Sequence, residues 1–152
     1  MRRSRVVLVA MVSLVIGIVA GGNLFSKTQP RSVISLRHCD HCLSPSDLAG
    51  LMGSVAMQKF PGMVPFVVEE TDKTIAMRLP LRTGFHFVII PKKDIKDVGD
   101  ISEANAAYLT DAFLVARHLI EKHKLRKYSL ATNGPGFQSV TYLHFHLRSS
   151  GI

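Results

Sequence analysis

The chain has 152 residues, 47% of them hydrophobic and 20% charged, which is one domain's worth of sequence and enough to bury a single modest core. Its formal net charge of +8 is not spread evenly: from Asp40 onward 13 Lys/Arg face 11 Asp/Glu, a balance of +2, while Arg2, Arg3, Arg5, Lys27, Arg31 and Arg37 supply the other six. Basic residues that flank an apolar run suit membrane targeting and argue against a nucleic-acid partner, which would need them clustered on a folded surface.

The apolar run is residues 6–20 (VVLVAMVSLVIGIVA), with no charge and one polar side chain, Ser13, behind a triple-Arg start. It reads as an uncleaved single-pass anchor extended to Phe25, as a cleaved signal with small residues Ala20, Gly21 and Gly22 near the cut, or as a buried core helix. A spanning helix needs about 20 residues, so the run sits at the short edge of that range. The expectation is a membrane location through an N-terminal anchor, with export after signal cleavage as the alternative. Basic residues on both sides leave the orientation open. The organisation expected is a membrane or signal segment at 1–25, a polar linker at 26–38 interrupted by Pro30, and one folded domain at 39–152.

Within that domain Pro45 behind Ser44 opens a short helix over 45–59, whose apolar stripe is Leu48, Leu51, Met52, Val55 and Ala56. Pro61 and Gly62 end it. Strands are predicted at 65–70, 74–79 and 85–90, the first two joined by the polar turn Thr71-Asp72-Lys73. Ser102 with Glu103 opens a long helix striped by Ala106, Leu109, Ala112, Phe113, Ala116, Leu119 and Ile120, ending near Lys124. His118 and His123 in its last turns read as surface residues that complement the helix dipole. Strands at 127–132 and 138–148 flank the turn Asn133-Gly134-Pro135-Gly136. The order gives an α+β fold with an antiparallel sheet.

The last predicted strand carries the chemistry. Period-2 alternation sorts Leu143, Phe145 and Leu147 to a core face, and Gln138, Val140, Tyr142, His144 and His146 to the other. Two imidazoles on one strand face can attack a phosphorus atom, bind a metal, or pack as a hydrogen-bonded structural pair. Nearby glycines let backbone N–H groups approach an anion, and Ser139 adds a hydroxyl donor.

The segment QSVTYLHFHL at 138–147 resembles the histidine-triad signature, in which Gln-Ser-Val leads into three alternating histidines, and HFVIIPKK at 86–93 looks like that family's second segment, a strand ending in Pro-Lys. The long helix falls between them, and the resemblance covers residues 65–147. It implies a HIT-like antiparallel sheet with a long helix, and a small-molecule nucleotide as partner. The activity implied is hydrolysis or nucleotidyl transfer on nucleoside phosphoramidates or dinucleoside polyphosphates. On this resemblance His144 is the nucleophile and forms a nucleotidyl-imidazole intermediate, and His146 contacts the phosphate or leaving group. Asn133, Gln138, Ser139 and Tyr142 contribute to substrate and phosphate binding. No cofactor is required for that chemistry, and members commonly pair as homodimers. The alternative is a non-catalytic, membrane-tethered nucleotide-binding or sensing module; a small interaction domain with packed histidines is the third reading.

Four features depart from the family pattern. Tyr142 stands where the first triad histidine belongs, changing the group expected to orient the nucleophile. The loop from Asn133 to Gln138 is short. Met77-Arg78 replaces an acidic residue for the ribose, and Lys93-Asp94-Ile95 stands for Lys-His-Ile. The chain's two cysteines, Cys39 and Cys42, form C-x-x-C between His38, His41 and other polar residues. By resemblance they match an N-terminal structural zinc pair with His86 as a third ligand; from the residues alone, a disulfide, a redox pair or free thiols remain open.

Overall fold

The computed structural model describes residues 2–25, 45–80 and 84–150. The expected linker at 26–38 and the Cys39–Cys42 pair lie outside them.

Helix α1 (Arg2–Phe25) contains the apolar window Val6–Phe25, 20 residues of mean hydropathy 2.3 with no part buried in the protein. At a rise of 1.5 Å per residue such a window is about 30 Å long, enough to cross a hydrocarbon core. The core-helix reading of this run is thereby overturned: a helix of the core would bury one face, and this one leaves its Val, Leu and Ile side chains exposed.

Helix α2 (Pro45–Lys59) has the boundaries the sequence predicted. Strands β1 (Val67–Glu70), β2 (Thr74–Arg78) and β3 (Phe85–Pro91) follow, then helix α3 (Ala106–Lys122), β4 (Ser129–Ala131) and β5 (Phe145–Ser149). The five strands form one sheet in the order β1-β2-β3-β5-β4, antiparallel throughout. The connection from β3 to β5 carries α3 across one face of the sheet.

Alternation along the strands builds two cores. Phe87, Ile89, Leu143, Phe145 and Leu147 pack with Ala112, Val115, Ala116 and Leu119 of α3. On the opposite face Ile75, Val88, Ile90 and Tyr142 pack with Met57 of α2. Each fully buried Leu, Ile or Phe contributes about 1.5–3 kcal/mol from burial, so the α3 side anchors the domain.

The long helix starts later than expected. Glu103–Asn105 forms a 3-10 turn first, because Asn105 Oδ1 accepts both the Ser102 amide (2.8 Å) and the Ser102 hydroxyl (2.9 Å) and holds the chain in that turn. His118 is exposed, as expected, with Nδ1 2.7 Å from Glu69 Oε1. His123 is a correction: its ring lies against Phe85 and Phe87, with centroids 4.9 and 5.1 Å apart. Burial first, then the charges of Arg78 and Lys122, lower its pKa, which works against its holding a positive charge at the helix end.

Candidate active site

The strand predicted at 138–148 is regular only from Phe145 to Ser149. The segment before it leaves the sheet because its hydrogen bonds go to the chain following β3. Leu143 N donates to Ile95 O (2.7 Å), Gln138 Nε2 to Lys96 O (3.1 Å), and the Tyr142 hydroxyl to Pro91 O (2.8 Å). These ties hold the entry to β5 against the end of β3, and His144 stands where the irregular segment meets the strand.

His144 is fixed at two points. Its Nδ1 lies 2.7 Å from the backbone carbonyl of Tyr142, and its own carbonyl accepts the Thr132 hydroxyl at 2.7 Å. A carbonyl can only accept, so in the neutral ring Nδ1 carries the proton and Nε2 the lone pair. The group that orients the candidate nucleophile is therefore a backbone carbonyl. This corrects the expectation that the side chain at 142 does so.

Tyr142 is 4% exposed, with its ring in the second core and its hydroxyl on Pro91. Its assignment to phosphate binding is corrected with it: a phenol committed to a buried carbonyl is turned away from a phosphate.

Beside His144, the His146 ring stands edge-on at 4.8 Å between centroids. His146 Nδ1 lies 2.9 Å from His86 Nε2, and Arg148 Nε donates to the same His86 nitrogen at 3.4 Å. Because the guanidinium only donates, His86 Nε2 is the acceptor of both bonds, His146 Nδ1 carries its proton, and His146 Nε2 is left as a free lone pair. Burial, then the neighbouring His144, His86 and Arg148, lower the His146 pKa to about 4, and burial with Arg148 lowers that of His86. Both rings are neutral at physiological pH.

The proposed partnership of His86 with Cys39 and Cys42 in a zinc site is not supported by this geometry. Both cysteines lie outside the described residues, and among the described residues no three His, Cys, Asp or Glu side chains gather as a metal site. His86 Nε2 faces an imidazole and a guanidinium, and a guanidinium opposes a dication at that nitrogen.

Next to His144 opens a cavity of about 290 Å³, lined by Ala49, Gly53 and Met57 of α2, by Met77, Val88 and Ile90 of the sheet, and by Val140, Tyr142 and His144. Apart from the imidazole its side chains are apolar save for the Tyr142 ring, whose hydroxyl is engaged elsewhere. Met77, noted in the sequence as standing near an acidic position of the family, is part of this wall. The predicted α2 stripe holds in part: Val55 is buried and Leu51 and Ala56 are half-buried. Leu48 and Met52 of the predicted stripe are 54% and 59% exposed, while Gly50, Ser54, Val55 and Met57 are buried. The buried face combines Val55 and Met57 with the small residues Gly50 and Ser54, which a search for large apolar side chains passes over.

Of the remaining predicted residues, Ser139 is exposed and Asn133 half-buried just past β4, while the Gln138 amide nitrogen is spent on Lys96 O. Thr132 and Arg148 escaped the sequence reading. Thr132 carried no motif signal; Arg148, two residues beyond His146, could have been found by continuing the alternation.

Comparison with known proteins bears on the family and the fold. A family model described as "Scavenger mRNA decapping enzyme C-term binding" matches residues 68–151, more than half of the chain. Among solved structures, a HIT family hydrolase from Clostridium thermocellum is 30% identical, with a TM-score of 0.56 over 64% of this chain and 90% of that one. A HIT family hydrolase from Legionella pneumophila is 29% identical, with a TM-score of 0.53 over 60% and 87%. A histidine triad protein from Clostridium difficile, 20% identical with a TM-score of 0.56 over 66% and 93%, shares the fold. No curated protein matches the chain. The histidines at the head of β5, the antiparallel sheet and the matched span together make this chain a member of the histidine-triad (HIT-like) superfamily.

Proposed function

We propose that the protein is a nucleotide-binding hydrolase or nucleotidyl transferase of the HIT type, with His144 as nucleophile, held at a membrane by Val6–Phe25. The observation that carries this reading is the 2.7 Å contact of His144 Nδ1 with the Tyr142 carbonyl, which leaves the Nε2 lone pair free for attack. The apolar cavity beside it takes the nucleoside, setting the α-phosphorus before Nε2.

In the first step the Nε2 lone pair forms an N–P bond, and the bond from phosphorus to the leaving group breaks with its electron pair going to the leaving atom, which departs as an anion when it is a phosphate oxygen and takes a proton from water when it is an amine nitrogen. His144 becomes cationic, and the carbonyl accepting its Nδ1–H stabilises that charge. In the second step water attacks phosphorus, its proton passes to the free His146 Nε2, and the N–P bond breaks, returning the pair to His144. Dividing one displacement into two lowers each barrier. Ser139, Asn133 and nearby backbone N–H groups are the donors for the phosphoryl oxygens, with Gln138 supporting the segment through Lys96. An uncleaved anchor fits α1; a cleaved signal is the alternative.

The test is intact-mass spectrometry of the full chain in detergent after brief incubation with diadenosine tetraphosphate or adenosine phosphoramidate and a quench that avoids acid, comparing wild type with His144→Ala. An adenylyl adduct on the wild type alone is expected. An adduct on both proteins would remove His144 as nucleophile. Nucleotide bound without adduct or product would replace the enzyme by a binding module.

A further inference from the structure

The line of functional side chains does not stop at His146. On β5 the alternation that turns His146 away from the α3 core turns Arg148 the same way, and the register sets Arg148 opposite His86 on β3 and Ser129 on β4. Around Arg148 lies a second cavity of about 290 Å³, lined also by Lys127, Tyr128, Ser129, Ser149 and Ser150. Among the described residues no carboxylate pairs with Arg148 or Lys127. Arg148 Nε is directed to His86, which leaves the remaining guanidinium N–H donors, the Lys127 ammonium and the Ser129 hydroxyl around one concavity.

We infer that this concavity is a subsite for a negatively charged leaving group, and that it directs the enzyme toward nucleotides whose α-phosphate is linked to further phosphates. The inference rests on the proposed role of His144 and narrows its substrate class. Arg148 stands two residues past His146 and four past His144, about 6.8 and 13.6 Å along an extended chain, so a chain of phosphates leaving from His144 can run past His146 to Arg148 while a short amine ends before it. Guanidinium and ammonium groups are the side chains suited to phosphate oxygens.

The state of His146 points the same way. An amine leaving group must receive a proton as the P–N bond breaks, and with a neutral His146 presenting a bare Nε2 that proton has to come from water, which makes the amine the slower leaving group. A phosphate departs as an anion and needs none, while the same lone pair serves to take the proton of water in the second step.

The experiment measures kcat/KM of the full chain in detergent for diadenosine tetraphosphate and for adenosine phosphoramidate, in wild type, Lys127→Ala, Arg148→Ala and Arg148→Lys. Equilibrium binding of adenosine tetraphosphate and AMP to the same proteins is measured alongside. Loss of one charge-assisted contact should lower kcat/KM and affinity for the tetraphosphates by about tenfold in Arg148→Ala and less in Lys127→Ala, with partial recovery in Arg148→Lys. Lys127→Ala should leave the phosphoramidate reaction and AMP binding unchanged. Equal losses on both substrates, or no loss on either, would overturn the subsite. Should the wild type turn over neither substrate, the role of His144 fails separately. The binding arm then still decides, because tetraphosphate bound no more tightly than AMP, or bound equally by the variants, removes the subsite.

Discussion

Replacing Tyr142 by Phe separates two roles that the position combines. The substitution removes one hydroxyl, and with it the 2.8 Å hydrogen bond to the Pro91 carbonyl in the second core. Stripping a donor from a buried acceptor costs about 1–3 kcal/mol. For a domain of this size each kcal/mol lowers Tm by about 4–8 °C, so a drop well outside measurement error is expected. The carbonyl of residue 142, which holds His144 Nδ1, is backbone and survives the change. The fraction of folded protein that forms the nucleotidyl adduct should therefore be unchanged below the new Tm. The assay pairs a thermal melt with intact-mass detection of the adduct about 20 °C below the variant's transition, a margin more than twice the shift per kcal/mol. A variant that melts as predicted, keeps its fold and binds nucleotide, yet forms no adduct, would refute the reasoning and return the phenol to the chemistry.

Two further predictions follow from backbone and charge. Gly84 has φ 80° and a Cβ there would run into the Ser149 carbonyl at the end of the β3–β5 pair, so Gly84→Ala should destabilise by more than about 2 kcal/mol, the left-handed penalty plus the clash. Gly62→Ala, where a Cβ meets nothing, is the control in the same melt; equal Tm values for the two would contradict the account. The pH dependence has a defined sign. His146 titrates near pH 4 in the fold against about 6.5 in the unfolded chain, so the unfolded state takes up its proton first, and stability is lost as pH falls from about 6.5 toward 4. Urea midpoints between pH 7.5 and 4 should decline with a shallower slope in His146→Asn; identical slopes would mean that the imidazole is not held neutral.

The parts of this fold that the sequence shows are those where one rule acts on every residue. Along β5 the pleat alone sends Phe145 and Leu147 to the α3 core and His146 away from it, and the alternation was readable without a structure. Residues 138–142 were not, because what shapes them is bonded to Ile95, Lys96 and Pro91, and nothing local announces those partners. Helix α2 was legible in part: its ends are marked by Pro45 and Pro61 and Val55 was placed inward, but Gly50 and Ser54 on its buried face carry no bulk to announce themselves. His86 was visible as a family residue, yet only the register of β3 against β5 brings it to His146 and Arg148.

The tyrosine in the signature follows from the same distinction between side chain and backbone. Position 142 meets two demands: something must fill the second core between Val88, Ile90 and Met57, and a carbonyl must face His144 Nδ1. Only the first depends on the side chain. An aromatic ring with one polar tip satisfies it when a buried carbonyl such as Pro91 O is within reach, so a tyrosine can replace a histidine here while the proton on His144 stays on the nitrogen that faces the backbone. On the proposed mechanism the chemistry is carried by His144, by His146 with its neutral partner His86, and by whatever Arg148 holds. On that mechanism, losing the first histidine of the motif is a change in packing, and a search for activity should follow the cations beyond His146.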